Sequence, residues 1–202
     1  IGQPLNIRKA YHLLGVNPET GLYTFEDMNG DGIISATDDR KVVLDMNPKY
    51  FGGLLNQFRY KRWSLDFLFQ FVKQKNLSPE LMFSMPGIIS NQPTIVSDHW
   101  LEPGDIASHQ MYAVTSNSAA VAAYNQYVES DGVVVDASYI RLKNLSFAYE
   151  IPQSVFKFGT CRVFVEAQNI FTFTPYKGND PEFISIGYLP PMKVWSTGLQ
   201  LT

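Results

Sequence analysis

Cysteine is nearly absent: Cys161 is the one thiol in 202 residues, so no internal disulfide can staple the chain. Together with His12, His99 and His109 it shows none of the spacings of a zinc site. Charge of one sign is also scarce. The 16 Lys+Arg against 19 Asp+Glu leave a net charge of -3 and a charged fraction of 17%. A protein living by phosphate contacts would carry a clustered basic excess, so a nucleic-acid partner is excluded. No run of about 18 apolar residues occurs, which excludes a transmembrane helix. The longest stretch without Asp, Glu, Lys or Arg, Ile106 to Val128, is broken throughout by Ser, Asn, Gln and Thr and reads as a polar loop with a short helix at Ala119 to Tyr127. The sequence opens at Ile1 without initiator Met, basic n-region or apolar h-region, as a mature protein or a piece of a longer one would. There is no H-E-x-x-H, no G-x-S-x-G and no phosphate-binding glycine loop, so catalysis is not expected. Cys161, on an alternating stretch, reads as a small apolar filler.

What is present in quantity is aromatic. Hydrophobic residues make up 45% and aromatics 14% of the chain, with 14 Phe, 11 Tyr and 3 Trp, a bias that favours strands. Alternation is clearest from Trp63 to Phe71, where Trp63, Leu65, Phe67, Phe69 and Phe71 share one face and Ser64, Asp66, Leu68 and Gln70 the other. The run from Gly52 to Tyr60 precedes it across Lys61-Arg62, a tight hairpin lacking Asn-Gly turn chemistry. From Ala137 to Tyr149 the apolar set changes parity between Leu142 and Leu145, which predicts a bulge near Lys143-Asn144. Cys161, Val163, Val165 and Ala167 then share one face, and a final strand carries Trp195, Thr197, Leu199 and Leu201.

These five strands are of the length that crosses a bilayer, about 9 to 11 residues each. Short connections (Lys61-Arg62, Ile151 to Gly159) alternate with long ones, 74–136 and 171–191, the latter rich in Pro and Gly. Short turns at one end and long loops at the other are the pattern of an outer-membrane barrel. The polar face, with Asp66, Gln70, Arg162, Glu166, Gln168 and Gln200, would then line a water-filled or plugged lumen. A soluble β-sandwich needs the same alternation, with the aromatic face turned into a core between two sheets.

The stretch Asp27 to Asp38, DMNGDGIISATD, fits D-x-N-x-D-G-x-I-x-x-x-D, an EF-hand-like loop. Hard cations take about six to eight oxygens, and Gly32 would supply the sharp turn that lets them converge. Asp27, Asn29 and Asp31 would give side-chain oxygens, Ile33 its carbonyl, Ser35 a direct or water-mediated contact and Asp38 the last carboxylate, with calcium the expected ion in a structural role. Position twelve is Asp, a shorter reach than Glu, and no amphipathic helix precedes the loop. The other reading is an Asx-rich turn whose side chains satisfy their own backbone.

Several stretches together resemble, in order, the late barrel region of SusC/RagA-type TonB-linked outer-membrane transporters. They are Asp27 to Asp38, Asn47 to Gly53, the Tyr60 to Leu65 hairpin, Ala137 to Tyr149 with Ile151-Pro152, Gln168 to Thr172, and Gly178 to Glu182. The resemblance implies an all-β chain forming the C-terminal strands of a large antiparallel transmembrane β-barrel of about 22 strands with long extracellular loops. It implies one barrel domain over 1–202 without its plug. Intact members import glycans, oligosaccharides or peptides with a SusD-like surface lipoprotein, driven through TonB, and sit in outer-membrane lipid. Barrels of this family end in an aromatic residue, so the terminus is expected just beyond Thr202. Trp100, Tyr112, Tyr124, Tyr127, Phe173 and Tyr176, in the external loops, are the expected substrate or partner contacts, since aromatic rings stack on sugars or peptide side chains. The competing reading is a soluble calcium-stabilised β-sandwich acting as a glycan-binding or adhesive module. A dockerin-like module would need a second acidic loop, which is absent.

Overall fold

A computed structural model describes residues 2–113, 118–182 and 189–202. In chain order its elements are β1 (Ile7–Ala10), β2 (Leu13–Val16), β3 (Tyr23–Phe25), β4 (Val42–Asp45), β5 (Tyr50–Tyr60), β6 (Trp63–Lys73), β7 (Lys75–Leu77), α1 (Ser118–Val128), β8 (Val134–Asp136), β9 (Tyr139–Ile151), β10 (Cys161–Phe173) and β11 (Val194–Leu201). Short 3-10 turns lie at Pro79–Met82, Thr94–Ser97 and Asp131–Val133. The chain divides into two units, Ile1–Asn47 with Lys75–Asp136, and Pro48–Gln74 with Ala137–Thr202. Among the described residues no helix is long and apolar enough to cross a membrane.

The second unit is one antiparallel sheet in the order β5-β6-β9-β10-β11. Residues directly opposite one another share a face, so the register sorts the side chains. Trp63 lies opposite Tyr149, Tyr149 opposite Val163, and Val163 opposite Leu199. One step in from these, Phe58, Leu65, Phe147 and Val165 follow in the same way. The reverse face carries Asp66, Ser146, Glu166 and Ser196 in another such row. It is mixed rather than wholly polar, because Phe51 and Leu55 of β5 and Phe164 of β10 also stand on it. Among the described residues of this unit no second sheet covers the apolar face: Trp195 is 62%, Leu199 68% and Phe58 55% exposed. A contiguous apolar surface of this kind is rare in a monomer surrounded by water.

The expected bulge is there. Between β6 and β9 the pairing steps from Leu68–Asn144 to Phe69–Leu142, leaving Lys143 as the extra residue. On its other side Lys143 faces Asn169-Ile170 of β10, where Asn169 takes a left-handed φ of 52°. The bulge is what keeps Leu145 and Leu142 on one face despite their odd spacing. The two-residue turn Lys61-Arg62 closes β5 onto β6 with Lys61 at φ 54°, a conformation that residues with a side chain adopt reluctantly.

The first unit is built from short pieces. β1 pairs with β4, β2 with β3, and β7 with β8, and α1 packs against β3. Tyr11, Tyr23, Phe25, Ala123, Tyr127 and Val133 form its core, and the rings of Tyr23 and Tyr127 stack at 4.2 Å. The 74–136 stretch, read from sequence as a loop, thus supplies strands, a helix and half of a core; its helix extends one residue beyond Ala119–Tyr127 at each end. The 171–191 stretch begins later than expected, because β10 runs through Phe173.

Candidate functional site

In the acidic loop the side chains face inward on their own backbone. Asp27 accepts from the amides of Gly30 and Gly32, both at 2.7 Å, which holds its carboxyl below the usual carboxylate range. Asn29 Oδ1 accepts from Asp31 N at 3.2 Å, and Asp31 Oδ1 from Ile33 N at 2.7 Å. Ser35 Oγ accepts from Asp38 N and donates to Asp38 Oδ2. Asp39, one position past the motif, is fully buried and clamps the loop, accepting from Met28 N at 2.8 Å and Ser35 N at 2.6 Å. Among the described residues no three His, Cys, Asp or Glu side chains converge as metal ligands.

The six aromatic candidates fall into distinct environments. Trp100 is buried, its ring against Gly21 and its indole N–H donating to Pro18 O at 2.8 Å. Tyr127 is buried in the Tyr23 stack, and Tyr124 is half-buried beside it. Tyr176 is buried with its ring against Gly178. Tyr112 is 43% exposed, stacks on His99 with ring centroids 3.7 Å apart and donates to Val96 O. Phe173 is exposed and is a strand residue rather than a loop residue: it ends β10 on the apolar face, opposite Ile140. Only Tyr112 and Phe173 of the six therefore present much ring surface, and they belong to different units.

Two polar clusters carry the electrostatics. In the first unit, His109 Nε2 lies 3.0 Å from Glu80 Oε2 while its Nδ1 lies 3.0 Å from the Asp98 carbonyl. Tyr127 Oη reaches the same Glu80 oxygen at 3.5 Å. The Glu80 carboxylate raises the His109 pKa, and His109 holds Glu80 below the usual carboxylate range.

The second cluster centres on Arg141 of β9, 1% exposed. Its Nη2 donates to Asp180 Oδ2 and its Nη1 to Glu182 Oε2, both at 2.7 Å, and its Nε donates to Thr172 Oγ1 at 2.9 Å. Tyr139 donates to Glu182 Oε1 at 2.5 Å, and the guanidinium lies 5.0 Å from the Tyr139 ring centre. Arg141, a charge at a strand's start, reads from sequence as a lumen or interface residue paired structurally rather than as a ligand contact. Its partners were not readable, because they lie 39 and 41 positions away in a Pro- and Gly-rich stretch.

Comparison with known proteins gives a consistent picture. No protein-family model matches the chain. It is 31% identical over 180 residues, 88% of its length, to TonB-dependent receptor P3 of Formosa agariphila. It is 26% identical over 166 residues to TonB-dependent receptor SusC of Bacteroides thetaiotaomicron. It covers 17% and 15% of those two relatives, so it spans about a sixth of their length. Among solved structures, the RagAB peptide transporter superposes with a TM-score of 0.72 over 95% of this chain and 22% of that one, at 23% identity. The RagAB peptide importer in its open-open state gives the same TM-score at 22% identity.

Proposed function

Because the chain belongs to the SusC/RagA-type family of TonB-dependent outer-membrane transporters, we propose that β5, β6, β9, β10 and β11 are wall strands of a barrel of about 22 strands. Their apolar face meets lipid and their mixed face borders the lumen. The observation that carries this reading is the uncovered aromatic face of a five-stranded sheet whose strands run 8 to 13 residues. The sheet is not closed on itself: β5 and β11 are its edges, which in a barrel pair with further strands. The connection after β6 is an external loop of the barrel, where Tyr112 offers ring surface to cargo or partner. The role is transport of a glycan, oligosaccharide or peptide, with a SusD-like lipoprotein on the external face and TonB acting through a plug. It is not enzymatic.

Calcium at Asp27, Asn29, Asp31, the Ile33 carbonyl, Ser35 and Asp38 is part of the same proposal. The ion would add to a closure that Asp27 and Asp39 already make through backbone amides. The test of the transport reading is made on the full-length parent protein. Extraction only by detergent, with a change of apparent size on a gel after boiling, is the expected result. A parent protein that dissolves in buffer and does not shift removes the barrel and leaves the soluble calcium-stabilised sandwich.

A further inference from the structure

The stretch after β10 does not leave the sheet. From Thr174 to Glu182 it lies against the mixed face, tethered to β6 and β9 or to residues at their ends. Thr174 Oγ1 donates to Ser138 O at 2.8 Å, just before β9. Gln74 Nε2, just after β6, donates to the carbonyl of Pro181, which is fully buried, at 3.0 Å. Arg141 and Tyr139 of β9 grip Asp180 and Glu182. Asp180 Oδ1 accepts from Glu182 N at 2.9 Å, which fixes the turn between the two gripped carboxylates. Arg141 and Tyr139 stand on the same face as Gln70 and Val72, which lie opposite them in β6. This is the face that the proposed function assigns to the lumen.

We propose that residues 174–182 form a strap folded into the barrel against its wall, not a loop projecting outside it, and that Arg141 is the positioning residue that holds it there. The inference rests on the lumen assignment above. Arg141 suits the task because a guanidinium presents a planar fork that can serve two carboxylates and a hydroxyl at once. Removing it strands two carboxylates, one of them buried, whose only cationic partner is Arg141 among the ion pairs of the described residues. Losing one member of a buried ion pair costs far more than the pair gains. The strap is thereby set to one position, with Lys177 and Asn179 on its exposed side facing whatever occupies the lumen.

The test uses the full-length parent in intact outer membranes, with Cys161→Ala and a reporter cysteine at Asn179, probed by a bulky membrane-impermeant maleimide. Ile106→Cys, a fully exposed position of the first unit, serves as the external control. A strap inside the lumen labels far more slowly than the control. Arg141→Met speeds its labelling by more than about tenfold, with the heat shift on the gel unchanged. Arg141→Lys falls between, since an ammonium cannot fork. Labelling of Asn179→Cys at the control rate in the otherwise unchanged protein overturns the proposal, as does an Arg141→Met variant that assembles and labels no faster. Should Arg141→Met not assemble, Asp180→Asn and Glu182→Gln each remove one tether, and the rate in the Arg141 background still decides. Failure of the heat shift in the unmodified parent would instead mark failure of the barrel reading itself.

Discussion

His109 and Glu80 form a nearly buried pair, Nε2 to Oε2 3.0 Å, in which the second ring nitrogen also faces an acceptor, the carbonyl of Asp98. An imidazolium that donates from one nitrogen to this carbonyl and from the other to the ionised Glu80 satisfies both contacts. Its pH dependence follows. The His109 pKa is raised above its ordinary 6.5, so its contribution is complete below 6.5 and is lost as pH rises through the folded value. The Glu80 pKa is lowered below 4.5, so its contribution is complete above 4.5 and is lost as pH falls through the folded value. The first unit should be most stable between about 4.5 and 6.5 on this account. Melting followed through Trp100, in the same unit, should fall away on the alkaline side, and His109→Gln should flatten that limb. An unchanged alkaline limb in the variant would refute the pairing.

Phe67 lies in the middle of β6 on the apolar face, which the proposed function turns toward lipid. Phe67→Arg should cost about 2 to 4 kcal/mol in reversible unfolding from lipid vesicles. Normal surface assembly with unaltered stability would count against the lipid assignment.

Asp39 should matter more to the acidic loop than any residue of the motif itself. Asp39→Ala takes away the acceptor of the part-buried Met28 and Ser35 amides, at about 0.5 to 1.5 kcal/mol for each hydrogen bond lost. Denaturant titration of the variant measures it, and a loss under about 0.5 kcal/mol, within the range of an ordinary surface change, would contradict the clamp.

Calcium should raise the melting temperature in a concentration-dependent way, as any ligand of the folded state does. Asp27→Asn should abolish that shift while Asp39→Asn lowers the baseline instead. Calorimetry showing no calcium binding to the native protein would leave the loop as an Asx turn alone.

Much of the sheet was legible because its strands are long and alternate. The bulge at Lys143 could be read because it reverses the apolar parity between Leu142 and Leu145. The matching irregularity at Asn169 could not, since Ala167 and Phe171 keep the same parity across it. The first unit shows no period in the sequence for a different reason: strands of three or four residues, such as β3 and β7, are too short for one. The candidate aromatics were chosen for being in loops, but loop position says nothing of burial. Trp100 and Tyr176 close over glycines, where the absent side chain makes room for a ring. Asp39 lies one position past the motif that ends at Asp38, and nothing local in the sequence distinguishes a clamp from a neighbouring surface acid.

A barrel wall requires neighbouring residues of one strand to look out on different solvents. This requirement is tested most directly by spin labels on cysteines placed singly at Phe69 and Gln70 of the parent protein in vesicles, with Cys161→Ala. The label at 69 should collide with lipid-soluble oxygen in preference to an aqueous nickel complex, and the label at 70 should show less of that preference or its reverse. Equal accessibilities at the two positions, or the opposite ranking, would contradict the account.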